Sequence, residues 1–142
     1  MTPRNATLTA GMVARILVLH AAVRFFGLGR VRWWLSRRAA AVPALTGGEA
    51  ERVEQARARL RLIKRRVPPL LAGNCLSQSL ALWWVLARDG VTTSLCIGAR
   101  RRGGAFGAHA WVEHNGTPLN AGGRIRNKFA TFDSDFSLTS DG

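Results

Sequence analysis

Apolar side chains recur at Met12, Ile16, Leu19 and Val23, the spacing of one helix face, and Gly27 and Gly29 then interrupt the pattern. A first helix is therefore expected over residues 8–26. A second is expected over 31–41, where Trp33, Trp34 and Leu35 are set among Arg30, Arg32, Arg37 and Arg38, with Pro43 past its end. Residues 49–66 read as a third. Glu49, Glu51 and Glu54 occupy its first turns and arginines crowd its last, as the helix dipole favours, and Pro68-Pro69 bars its continuation.

The pattern changes at Asn74. Residues 75–88 are apolar nearly all round, through Leu76, Leu80, Leu82, Trp83, Trp84, Val85 and Leu86, which marks a central buried helix closed by Asp89-Gly90. Residues 91–99 instead alternate, with Val91, Thr93, Leu95, Ile97 and Ala99 on one side of a strand, and 100–104 read as a Gly/Arg loop. Phe106, Ala108, Ala110 and Val112 give a second strand its apolar face. Asn115-Gly116 is a two-residue hairpin signal leading into 117–120. Beyond Ala121 the pattern fades: Phe129, Phe132 and Phe136 are candidates to pack back, and the end from Ser134 reads as a loose tail. The expected fold class is α+β, a central Cys-bearing helix on a small antiparallel sheet, preceded by basic helices. The expected division is 1–66 for a basic helical region packing on the core, 67–133 for the core, and 134–142 for the tail.

A chain of 142 residues makes about one domain, so one active site is sought. Charge adds a bias. Residues 1–70 carry 14 Arg/Lys against three Glu, net +11, and the remainder seven against five, net +2. An anionic partner is implied, whether nucleic acid, membrane surface or acidic polypeptide. The apolar stretch at 11–23 is broken by Arg15 and His20 and is read as too short to span a bilayer, so a cytoplasmic chain without stable membrane insertion is expected. Two cysteines are too few for a disulfide-built fold, and reduced thiols are expected.

The informative chemistry is a cysteine at the start of the buried helix, then a strand, then a histidine on the next strand. A thiol at a helix N-terminus meets the positive end of the dipole, which favours thiolate. A nearby imidazole can take its proton, and backbone N–H groups of the first turn can hold an oxyanion. Cys75 and His109 are the candidates. Cys96, in mid-strand, is read as structural, His20 as a core or surface residue, and His114, beside the turn, as solvent-exposed. No CxxC or HxxxH spacing suggests a metal, and neither metal nor cofactor is expected.

The blocks Asn74-Cys75-Leu76-Ser77-Gln78-Ser79-Leu80-Ala81-Leu82, Phe106-Gly107-Ala108-His109-Ala110-Trp111-Val112-Glu113 and Pro118-Leu119-Asn120 resemble the transglutaminase-like leader peptidases of lasso-peptide biosynthesis, over about residues 65–121. The resemblance implies a papain/transglutaminase-like core and removal of the leader from a ribosomally made precursor. It also implies two partners: a separate leader-recognition protein and an ATP-dependent cyclase. The basic helices, with Arg57, Arg59 and Arg61, are candidates for docking them. The sequence departs from the aspartate expected as third catalytic group, because no Asp lies between His109 and Asp133. Asn120 is the candidate, since the turn at Asn115-Gly116 pairs Trp111 with Asn120, one diagonal step from His109. Asp133 or Asp135 could serve instead. Two other readings stay open. In one, a basic protein binds nucleic acid through its arginines and Trp33 or Trp34, which leaves the Cys-His blocks unexplained; in the other, the chain is a non-catalytic scaffold.

Overall fold

A computed structural model describes residues 3–121, Ile125 and residues 130–132. The expected 134–142 tail, Asp133, Asp135, Phe129 and Phe136 lie outside the described residues. The order is α1 (Pro3–Phe26), α2 (Leu28–Ala40), α3 (Glu49–Arg66), α4 (Pro69–Ala72), α5 (Cys75–Arg88), β1 (Ser94–Arg102), β2 (Ala105–His114), β3 (Thr117–Pro118) and β4 (Ala130–Phe132). The class is α+β, mostly helical with a small antiparallel sheet in the order β3-β2-β1-β4.

α5 is the hub. Its Leu80, Ala81, Leu82 and Leu86 are fully buried, and α1, α2 and α3 all pack on it. Met12, Ile16 and Leu19 of α1, Val31 and Leu35 of α2 and Ala56, Leu60 and Ile63 of α3 join them in one cluster that also takes in Leu95, Val112 and Leu119 from the sheet side. Each buried Leu, Ile, Val or Met side chain among them contributes roughly 1.5–3 kcal/mol by leaving water. The basic N-terminal helices are thus built into the same core as the Cys-bearing helix.

α3 runs over the expected residues, with Glu49 and Glu51 in its first turn and Lys64, Arg65 and Arg66 in its last. Val67, preceding proline, is extended (φ −95°, ψ 134°), and Pro69 opens α4 at its first position. α1 is longer than its apolar periodicity suggested: at 24 residues it is long and apolar enough to cross a membrane by length and composition. The stretch at 11–23 thus lies inside a longer helix than its apolar residues alone would fill.

The hairpin differs from the expected loop at 100–104. β1 starts at Ser94, after Val91 has donated to the Leu86 carbonyl (2.9 Å) to close α5, and it continues to Arg102. Gly103 and Gly104, with φ of 58° and 80°, make the whole connection, so Arg102 still pairs with Ala105. Two residues with positive φ match the twist of the paired strands, and glycine adopts them without steric cost. β4 was not expected as a strand; it pairs Ile97 with Phe132 and Ala99 with Ala130. The turn at Asn115-Gly116 forms as expected, with φ of 51° and 79°.

Candidate active site

Cys75 is the first residue of α5. Asn74, extended at φ −107° and ψ 178°, caps the helix: its side chain accepts from the Ser77 N–H (2.9 Å), and the Ser77 hydroxyl accepts from the Asn74 N–H (3.0 Å). The cap occupies the third N–H of the helix, whereas those of Cys75 and Leu76 belong to the turn that has no helical acceptor. Before it stands Gly73 (φ 71°, ψ −165°), where a β-carbon would run into the Ser77 Oγ and Ile16 Cγ2. The Gln78 amide donates to the Ala72 carbonyl (2.9 Å) and holds this approach to the cysteine in place. Cys75 is half-buried.

His109 is half-buried on β2, opposite Gly98 of β1. Its ring lies nearly parallel to that of Trp111, with centroids 6.2 Å apart and planes at 21°. Trp111 is fully buried; its indole N–H donates to Glu113 (2.9 Å), a carboxylate only 4% exposed. Trp111 packs with Cys96 and Ile125, while Val112 belongs to the helical core, so His109 and Trp111 share the sheet face away from Val112.

The two parts meet along one edge of β2. The Val112 carbonyl accepts from Leu119 N–H (2.8 Å), so this edge of β2 faces the β3 side, yet β3 pairs only with Glu113 and His114. Backbone groups two residues apart point the same way, which leaves the Ala110 carbonyl on that edge without a strand. α5 covers it: the Ser79 hydroxyl, fully buried, donates to Ala110 (3.0 Å). Cys75 lies one turn before Ser79, about 6 Å along the helix on the same side. The helix headed by Cys75 therefore seals the strand edge beside His109.

Asn120 joins the same junction. Its Oδ1 accepts from Val112 N–H (2.8 Å) and its Nδ2 donates to Ser79 Oγ (2.9 Å). Its carboxamide thus ties the segment after β3 to both β2 and α5. Cys96 is buried in mid-strand and is not bridged to Cys75. His20 is exposed on α1. His114 is not the solvent-exposed residue expected: its side chain is 15% exposed and its Nε2 lies 3.3 Å from Glu49, because the turn brings the end of β2 to the start of α3. Among the described residues no three His, Cys, Asp or Glu side chains gather as metal ligands would.

Two of the arginines assigned to docking have internal partners. Arg57 Nε donates to the Leu119 carbonyl (2.9 Å), and Arg61 donates to Glu54 (2.7 Å). That bond is the main cause that holds the Glu54 carboxyl below its ordinary value. Ser79, Trp111 and Glu113 were not singled out from the sequence as site residues. Ser79 carried a signal, a small polar side chain four residues after Cys75 within an apolar helix.

The model of the transglutaminase-like superfamily matches residues 15–132. The chain belongs to the transglutaminase-like superfamily. Its members are typically cysteine-dependent enzymes and include cysteine peptidases. The match begins inside α1 and ends in β4, so the basic helices fall within the superfamily region as well as within the core. No curated protein and no solved structure matches the chain.

Proposed function

We propose that this transglutaminase-like protein is a cysteine peptidase that removes the leader from a ribosomally made lasso-peptide precursor. The observation that carries the reading is the placement of Cys75 at the head of a side-chain-capped helix that is hydrogen-bonded, one turn later, to the strand carrying His109. The first turn of the helix supplies the Cys75 and Leu76 N–H groups as donors for an oxyanion.

In the proposed reaction His109 takes the Cys75 proton as sulfur attacks the carbonyl of the leader–core bond. The proton passes to the leaving nitrogen, the C–N bond breaks, and the core departs with a free N-terminal amine. The leader remains on Cys75 as a thioester. Water then attacks, giving a proton to His109; the C–S bond breaks and sulfur recovers the proton. Asn120 is the candidate to orient the imidazole, and no metal or cofactor enters any step. A leader-recognition protein would deliver the precursor, an ATP-dependent cyclase would consume the freed amine, and the work would take place in the cytoplasm.

Against the nucleic-acid reading, Arg37 and Arg38 lie 5.0 Å and 4.1 Å from the ring centroids of Trp33 and Trp34, so the chain's own guanidiniums occupy faces on which bases would stack. The test is mass spectrometry of a precursor incubated with this chain and its recognition partner. Leader and core separated at one bond support the proposal, and an intact precursor with the Cys75 thiol inert to alkylation at neutral pH refutes it.

A further inference from the structure

α1 is apolar enough to cross a bilayer, yet only 17% of its most apolar window is buried by the rest of the protein. Val18 in its middle is 59% exposed. Phe25 and Phe26 at its end are 78% and 64% exposed, and Trp33 on α2 is 60% exposed. Val18, Ala22 and Phe26 of α1 and Val31, Trp33 and Trp34 of α2 line a groove of about 630 Å³ between the two helices. An apolar surface of this kind marks a place where something docks.

The surroundings of the groove identify the occupant. Residues 1–48 contain seven arginines and no Asp or Glu. Arg24, Arg30, Arg37 and Arg38 are exposed, Arg30 lines the groove, and Arg37 and Arg38 lie over Trp33 and Trp34. Tryptophan bodies in apolar surroundings, flanked by guanidiniums, are the composition of a bilayer interface, where rings sit at headgroup depth and arginines meet lipid phosphates. A second copy of the chain fits poorly, since two such faces would set arginine against arginine without an acid on either side. Spanning is also opposed by the packing. Met12, Ile16 and Leu19 are at most 2% exposed in the core, and Arg15 in mid-helix lies 5.4 Å from the Trp84 ring, so α1 cannot enter a bilayer without dismantling the protein.

We propose that the α1–α2 face docks on an anionic membrane surface, with Phe25, Phe26 and Trp33 at the acyl boundary and Arg24, Arg30, Arg37 and Arg38 against phosphate groups. The chain lies on the bilayer and does not span it. The proposal is independent of the chemistry at Cys75.

The test is flotation of the full chain with phosphatidylcholine vesicles, with and without phosphatidylglycerol. Binding is expected to be at least about tenfold stronger with the anionic lipid, since its negative surface potential attracts the arginines. Phe25→Ser/Phe26→Ser/Trp33→Ser and Arg30→Glu/Arg37→Glu, all at exposed positions, are each expected to lose most of it while circular dichroism stays native. Equal flotation with both lipids, or a loss in the arginine variant that the aromatic variant does not share, overturns the proposal. So does a dimer in vesicle-free solution that the aromatic variant abolishes, or RNA affinity above vesicle affinity lost in the same variants.

Discussion

The carboxamide nitrogen of Asn120 donates to the hydroxyl of Ser79 across 2.9 Å, and through that bond the segment after the β-hairpin is fastened to the helix that begins with Cys75. The same side chain takes the Val112 N–H, so its oxygen already serves the strand on which His109 stands. Removing it would leave the Val112 N–H without its acceptor, at a cost of roughly 1–3 kcal/mol.

Asn120→Ala is expected to lower the unfolding free energy by that amount and the cleavage rate by at least about tenfold, about 1.4 kcal/mol in the barrier, with Asn120→Asp retaining activity. Ser79→Ala separates the two effects. It should reproduce the stability loss in urea unfolding with a smaller loss of rate, since its hydroxyl bonds to Ala110 and Asn120 at the junction. Near-normal turnover in Asn120→Ala together with loss in Asp133→Ala would move the third role to the C-terminal segment.

Cys75→Ala and His109→Ala are each expected to abolish cleavage, whereas Cys96→Ala and His114→Ala keep most of it. Cys96 is 7% exposed in mid-strand, and His114 pairs with Glu49 at the far end of β2. Brief alkylation of the native protein should accordingly label Cys75 ahead of Cys96, read by peptide mass spectrometry, with both labelled in denaturant.

Gly73→Ala is expected to destabilise the protein by more than about 2 kcal/mol, because its φ of 71° with ψ of −165° is a glycine-only conformation. The added methyl also collides with Ser77 of the helix cap and Ile16 of the core. Differential scanning calorimetry should show the lowered Tm, and activity should fall with it, since the cap displaced is the one that presents Cys75.

The Glu54 carboxyl is held below its ordinary value of 4.5, first by the hydrogen bond from Arg61. A depressed folded value means that its contribution is present above that ordinary value and is lost as pH falls through the lowered one. Stability of the wild type should therefore drop more steeply in that acid range than that of Glu54→Gln. Both partners are exposed, so the difference is small, and raised salt should reduce it.

Helices α3 and α5 could be read to the residue because their ends carry local signals: acids and a basic run in one, Asn74 and Asp89-Gly90 in the other. The full length of β1 could not, since Arg100–Arg102 pair through a Gly-Gly turn that looks like a loop from composition. β4 draws its pairing from distant β1, and three residues offer no period. That Cys75 opens a helix and His109 stands on a strand was legible from the local pattern. What the sequence hid was the edge of β2, because the role of Ser79 depends on β3 stopping after two residues and leaving the Ala110 carbonyl for the helix. His114 was misread for a related reason: the turn beside it is exposed, but the start of α3 covers the imidazole.

The proposed thioester gives the most direct test of the account. A reaction with precursor and recognition partner, quenched in acid within the first turnover, should yield a protein heavier by the leader mass less one water, with the adduct on the peptide containing Cys75 and the core already released. Core release that continues unchanged in Cys75→Ala, with no leader adduct on the wild-type chain, would contradict it.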